Sequence, residues 1–259
     1  MNSNEILAFL SIKYKGDWGE MYECIKNKQK IDHSSSEMRE ALDNLKEKYV
    51  TLLDEEYPSI IKKTGGCNFP IVLFYRGDLS LCDESKKRLC VIGSRENTKY
   101  GEVSTQKIVS ELPKDVIIVS GLARGIDSIA LQAAIDSGKK TIAILGSGID
   151  VCYPKENERL YNKIIETGGL IFSEYPPKVQ PDPNNFRWRN RILAMIADGV
   201  LVGEAKEISG TKITVGFALR FNKSVGCIPY PISSQSFCNT LIKEGALLVE
   251  TGQDALDLL

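Results

Sequence analysis

The chain has 259 residues, with 33 Lys+Arg against 34 Asp+Glu, a net charge of −1 and a single histidine, His33. That length accommodates one or two domains with a real core, and 42% hydrophobic with 26% charged residues is globular rather than disordered composition. One imidazole excludes a zinc site built on two histidines and leaves any Ser-His-Asp or Cys-His unit dependent on His33. The balanced charge excludes a protein that coats nucleic acid by bulk positive potential, so only a local basic patch is left for that role.

Seven cysteines, at 24, 67, 82, 90, 152, 227 and 238, are odd in number, widely spaced and without a CxxC pair. That pattern argues against a disulfide framework or a four-thiolate metal site and for free thiols in a reducing cytosol. The N-terminal MNSNEILAFLSIKYKG lacks a basic region, an apolar stretch and a small-residue cleavage site in succession. No apolar run approaches the ~18–20 residues needed to span a bilayer. The expectation is a soluble, cytoplasmic protein with no membrane contact, no metal and no cofactor.

In chain order, residues 1–65 are rich in Lys, Glu, Asn and Leu. Helices are expected over Ser3–Leu10 and around Trp18–Lys26. A third is expected over Ser36–Leu53, where Met38, Ala41, Leu42, Leu45, Tyr49 and Leu52 recur at spacings of three and four behind the N-cap candidates Ser34–Ser36. These form a small all-helical N-terminal domain. From residue 66 to 259 the pattern becomes short apolar runs, each followed by a glycine turn and a helical stretch. The runs are Ile71–Tyr75, Leu89–Ile92, Val116–Val119, Thr141–Leu145, Leu170–Phe172, Val200–Val202, Val225–Ile228 and Leu247–Val249. The intervening helices are expected over Gly101–Leu112, Ile126–Ser137, Glu156–Glu166, Arg191–Ala197, Ile213–Phe221 and Thr240–Glu244. Alternation of this kind predicts an α/β fold, an extended Rossmann-like, doubly wound and mostly parallel sheet with helices on both faces.

Ligands of such sheets sit off the carboxyl ends of the strands. The turns there carry Gly93-Ser94-Arg95, Gly121 and Arg124, Gly146 and Gly148, Lys155 and Asn157, and Ser209-Gly210-Thr211. Glycine permits close backbone approach, a helix start aims N–H groups at an anion, and the cations add full charge. Together they describe a rim suited to phosphate. Neither a GxGxxG fingerprint with a downstream acid nor a GxxxxGK[ST] P-loop is present, which disfavours a dinucleotide cofactor and an NTPase. Asp127, Asp150, Glu174 and Glu204 also lie at strand ends, where capping and loop-bridging are their commoner uses. In the run Asn185–Arg191, Arg187, Arg189 and Arg191 alternate with Phe186, Trp188 and Asn190. Cations of this kind hold a nucleic-acid backbone and aromatic faces stack on unpaired bases. Trp188 fits a stacking role and a core role equally.

Taken together, GSR (93–95), SGLARGID (120–127), LGSGIDVCYPKEN (145–157), SEYP (173–176), NFRWRNR (185–191), SGTKIT (209–214) and CNTLIKEGA (238–246) resemble, in order and spacing, the DNA-processing protein A (DprA/Smf) family over about residues 57–256. The resemblance implies an extended Rossmann core preceded by a small helical, SAM-like domain. It also implies homodimers that bind single-stranded DNA, protect it during natural transformation, load the RecA recombinase and catalyse no reaction. The DNA-contacting positions it carries over are Arg95, Lys155, and Arg189, Asn190 and Arg191. Three departures stand out. Leu131 replaces the histidine of the family's GID-x-x-AH pattern. Pro229-Tyr230-Pro231 stands where a Pro-Gly is usual, and Cys238 where a glycine is usual. The chain ends soon after Asp254, which leaves no room for the winged-helix domain that some members append. Two other readings use the same rim. One is a nucleoside-monophosphate phosphoribohydrolase-like enzyme, although the PGGxGTxxE signature of that class is missing. The other is a nucleotide-sensing Rossmann-like module.

Overall fold

The computed structural model describes every residue except 65, 67, 208 and 235, so Cys67 falls outside the described residues. Three helices open the chain, α1 (Ser3–Lys13), α2 (Trp18–Lys26) and α3 (Ser35–Asp43). Each starts on a short polar side chain. Asn2, Asp17 and Ser34 accept the N–H groups of Glu5, Glu20 and Glu37, and the first and last complete a reciprocal capping box.

The helix expected over 36–53 stops at Asp43. Lys48–Thr51 instead forms strand β1, which pairs antiparallel with β2 (Val72–Gly77), placing Tyr49 opposite Phe74 and Val50 opposite Leu73. Helix α4 (Ser59–Thr64) lies between them. The chain then alternates through β3 (Lys87–Gly93), α5 (Lys99–Glu111), β4 (Val116–Ser120), α6 (Ile126–Asp136), β5 (Thr141–Leu145), α7 (Glu158–Glu166) and β6 (Leu170–Ser173). It continues with α8 (Pro183–Ile196), β7 (Gly199–Glu204), α9 (Thr211–Arg220), β8 (Ser224–Cys227), α10 (Phe237–Lys243), β9 (Leu247–Leu248) and α11 (Gly252–Leu256). Every apolar run read from the sequence lies within two residues of a strand.

The nine strands make one sheet in the order β1-β2-β6-β5-β4-β3-β7-β8-β9, antiparallel at β1–β2 and β2–β6 and parallel elsewhere. Alternate side chains serve the two faces. Cys90, Ile92, Val119 and Ile144 pack with Leu193 of α8 and Val215 of α9. Leu89, Val91 and Ile118 pack with Ile108 of α5 and Ala130 of α6. Beyond α6 on that second face, Leu7, Leu10, Met21 and Cys24 of the N-terminal helices join Phe74, Leu131, Leu145 and Ile171. Leu131 is fully enclosed there. The fold is the expected Rossmann-like, mostly parallel α/β sheet preceded by helices. Its winding runs from β3 to β6 in one direction and from β7 to β9 in the other. The loops leaving β3 and β7 therefore diverge, and a crevice opens between them at the strands' carboxyl ends.

Candidate nucleic-acid interface

A cleft of about 1060 Å³ occupies that crevice. Its walls are the loop after β3, the loop before α7, the first turns of α8 and the loop into α9. Helix α8 begins at Pro183, well before the expected Arg191, because Asp182 accepts the Asn184 N–H at 2.8 Å and proline suits the first helical position. The early start places Phe186 and Asn190 on the cleft.

Arg95, Lys155 and Arg187 line the cleft as exposed side chains, and none of the three has an ion-pair partner among the described residues. The Arg95 guanidinium lies 5.6 Å from the Phe186 ring centre. Phe186 in turn stacks on Tyr153 at 5.5 Å and 29°, and Tyr153 is 46% exposed. Three exposed cations without an ion-pair partner among the described residues thus share the cleft with a stacked pair of rings. Tyr153 was passed over in the sequence although it sits beside Lys155; its only signal was an aromatic residue in a rim loop. Lys206 also lines the cleft but pairs with Glu96 at 3.1 Å.

The other predicted rim residues divide by what their atoms touch. Arg124 is turned onto Glu156 outside the cleft, and its guanidinium holds the Glu156 carboxyl below its ordinary range. Asn157 donates to the Leu122 carbonyl at 2.9 Å and bridges two loops. Ser94 is built into its turn: its N–H donates to Glu204 O at 2.7 Å, its carbonyl accepts from Ile126 N–H and its hydroxyl accepts from Glu96 N–H. Asn190 reaches Gly210 O at 3.4 Å. Ser209, Gly210 and Thr211 line the cleft where α9 begins without a side-chain cap, and the Ser209 hydroxyl has no hydrogen-bond partner among the described residues.

Burial sets two of the arginines apart. Arg189 lines the cleft but is only 4% exposed and donates to the carbonyls of Gly121 and Ile144, tying the ends of β4 and β5. Burial pushes its pKa down, and burial pushes that of Asp127 up; each charge opposes the shift in the other. Arg191 leaves the rim entirely. Its fully buried guanidinium donates to Glu174 at 2.6 Å, Asn68 O at 2.8 Å and Trp188 O at 3.0 Å. It also lies 4.1 Å from the Trp188 ring, which packs 5.9 Å from Trp18 of α2. Trp188 is therefore an element of packing and not of the cleft.

Glycine in these turns serves chain packing more than ligand approach. A Cβ at Gly93 would lie 2.6 Å from Glu204 O, one at Gly121 2.6 Å from the Arg189 guanidinium, and one at Gly148 2.7 Å from Pro176 O. At Gly146 it would strike the Phe186 ring; of these five rim glycines Gly210 alone faces open space. The four strand-end acids likewise have structural partners. Asp127 accepts from Gly121 N–H and Ala123 N–H, Asp150 from Lys178 N–H, Glu174 from Arg191, and Glu204 from Thr98 and Tyr230.

The sequence profile of the family described as DNA recombination-mediator protein A matches residues 48–259, beginning at the first residue of β1. The chain belongs to this family. It is 43% identical over 208 residues to the DNA processing protein DprA of Streptococcus pneumoniae, covering 80% of this chain and 72% of that one. It is 37% identical over 208 residues to the protein Smf of Escherichia coli, covering 79% of this chain but 54% of that one. The chain spans about half the length of that second relative. Among solved structures, the X-ray structure of Streptococcus pneumoniae DprA superposes with a TM-score of 0.81 at 35% identity, over 99% of this chain and 93% of that one. DprA from Helicobacter pylori, whose structure addresses its single-stranded DNA binding mode, matches with a TM-score of 0.71 at 27% identity, over 83% of this chain and 95% of that one. Among the described residues of this family member, no helix is long and apolar enough to cross a membrane.

Proposed function

We propose that the chain binds single-stranded DNA in the cleft between the β3 and β7 loops. The observation that carries this reading is the trio of exposed cations without an ion-pair partner among the described residues, Arg95, Lys155 and Arg187, sharing the cleft with the stacked Phe186 and Tyr153 rings. The cations hold successive phosphates. The rings offer π-faces to unpaired bases, an interaction worth about 1–3 kcal/mol per base and available only where bases are unstacked from a partner strand. With a net charge of −1 the protein has no general affinity for polyanions, so binding is confined to this cleft.

Family membership and the Helicobacter pylori relative support the wider role: protection of incoming DNA in transformation, and recombination through RecA loading by a cytoplasmic homodimer. In this role the protein acts by binding, without turnover. Anisotropy of a fluorescein-labelled oligo-dT is the direct test. Binding at 50 mM salt is expected, with a log–log salt slope of about −2 from three phosphate contacts at about 0.7 each. Duplex of the same length should compete poorly, and RecA should co-precipitate on the same strand. Absence of binding at low salt, or an unchanged affinity in Arg95→Glu, overturns the assignment.

A further inference from the structure

Pro229-Tyr230-Pro231, the segment that departs from the family's usual Pro-Gly, leads from β8 toward α10, outside the cleft lining. Yet the Tyr230 side chain turns back toward the loop that carries Arg95. Its hydroxyl lies 3.0 Å from Glu204 Oε2 and 3.0 Å from Gly203 O. Burial and the Glu204 carboxylate both push the phenol pKa up, so it stays a donor. The ring is fixed from two sides. Tyr100 meets it edge-on at 4.9 Å and donates to Pro229 O at 2.9 Å. Asn239 clamps the Tyr230 backbone, accepting its N–H at 2.9 Å and donating to its carbonyl at 2.8 Å.

Glu204 is 5% exposed and has no cation partner among the described residues. Its remaining donors all belong to the far end of the Arg95 loop: Thr98 N–H at 2.9 Å and Thr98 Oγ1 at 2.9 Å. The near end of that loop hangs on the Glu204 carbonyl through Ser94 N–H at 2.7 Å. One residue therefore pins both ends of the five-residue turn 94–98, and the Tyr230 hydroxyl holds the carboxylate that does half of this. A buried anion that loses a donor is costly to leave in place, so the carboxylate is expected to move when the hydroxyl is removed.

We propose that Tyr230 is a positioning residue for DNA binding, acting through the Glu204 carboxylate and Thr98 to set where Arg95 meets a phosphate. The proposal rests on the DNA-binding reading above, and its test separates the two. Tyr230→Phe keeps the ring against Tyr100 and removes only the hydroxyl. With labelled oligo-dT the variant is expected to bind about tenfold more weakly, the loss of one charge-assisted bond. Its salt slope should fall in magnitude by about 0.7, the signature of one lost phosphate contact. On an Arg95→Ala background the same substitution should cost nothing further, because its effect passes through Arg95. Hydrogen exchange at the Thr98 amide should quicken without DNA present.

Additive losses in the double variant overturn the proposal. So does wild-type affinity in Tyr230→Phe, or unchanged protection at Thr98. If the wild type binds no DNA, the DNA reading fails and with it the role assigned to Tyr230, whereas the Thr98 exchange result separately shows whether the Tyr230–Glu204 link holds the loop.

Discussion

Replacing Arg191 tests the sorting of this protein's arginines most sharply. Its side chain and that of Glu174 are 0% and 3% exposed, joined at 2.6 Å. Removing the guanidinium in Arg191→Met leaves a carboxylate enclosed by protein, and its second oxygen already has no hydrogen-bond partner among the described residues. Two backbone carbonyls, of Asn68 and Trp188, also lose their donor. Breaking one side of such a buried pair costs about 3–5 kcal/mol. At about 2–4 °C per kcal/mol for a chain of this size, that is a fall in melting temperature of roughly 6–20 °C. Glu174→Gln added to Arg191→Met should restore part of the loss by removing the stranded charge. Arg95→Ala is the control: an exposed side chain with no ion-pair partner among the described residues, whose loss changes stability by about 0.5 kcal/mol or less while oligo-dT binding weakens but stays measurable. Differential scanning calorimetry and anisotropy on the same samples read both quantities. An Arg191→Met protein that melts like the wild type but no longer binds DNA would refute the reasoning, because the guanidinium would then have to reach the strand.

Other expectations follow from the same contacts. Gly146→Ala places a methyl group against the Phe186 ring, so oligo-dT affinity should fall by more than stability does, measured by anisotropy beside a thermal melt. Lys155→Glu and Arg187→Glu should each weaken binding and reduce the salt slope by at least the about 0.7 of one lost contact, without changing the melting temperature. Burial raises the folded-state pKa of Asp127. The ionised form is thus disfavoured in the fold, and stability is lost as pH rises from the ordinary value of about 3.9 through the raised one. The melting temperature of Asp127→Asn relative to wild type should accordingly improve from pH 4 to pH 7; a decline would show that Arg189 dominates. Burial also lifts the Cys152 thiol to about 11, so iodoacetamide at pH 7.5 should label it slowly and leave the buried Cys24, Cys82, Cys90, Cys227 and Cys238 unmodified, as read by mass spectrometry.

The central parallel strands β3, β4, β5 and β7 were legible because each is a buried apolar run with glycine or serine at its carboxyl end, and burial on both faces leaves little freedom in sequence. Strand β1 was not. Leu42 and Leu45 keep a helical spacing across a real break at Asn44, which caps α3, and Tyr49 and Leu52 continue it, while a four-residue edge strand offers too few positions for alternation to show. The β-branched and aromatic content of Tyr49, Val50 and Thr51 was the available signal. Glycine turns stand at the strand ends as expected, and at most of them the missing Cβ makes room for protein atoms. Nothing in a sequence distinguishes a glycine that admits a ligand from one that admits Phe186 or the Arg189 guanidinium, since both need the same missing Cβ.

Helix α8 separates the residues of the basic run. Alternation of arginine with aromatic residues suggests one charged and one apolar side only in a strand. At about 100° per residue in a helix, Phe186, Asn190 and Leu193 fall on one narrow stripe, and these three line the cleft. Arg187 flanks that stripe on one side and Arg189 on the other. Arg191 lies farther round, toward Trp188 and the N-terminal helices, where Glu174 receives it. The Asp182-Pro183 pair, a cap followed by proline at the first position, was enough to start the helix there and to make this separation from sequence alone. Once made, it sets the three arginines of a single motif in three places: Arg187 exposed on the cleft wall, Arg189 at the ends of β4 and β5, and Arg191 in the protein's own interior. On the proposed DNA-binding reading, a charge count over the motif predicts three phosphate contacts where the exposed Arg187 supplies one, and the salt slope distinguishes the two.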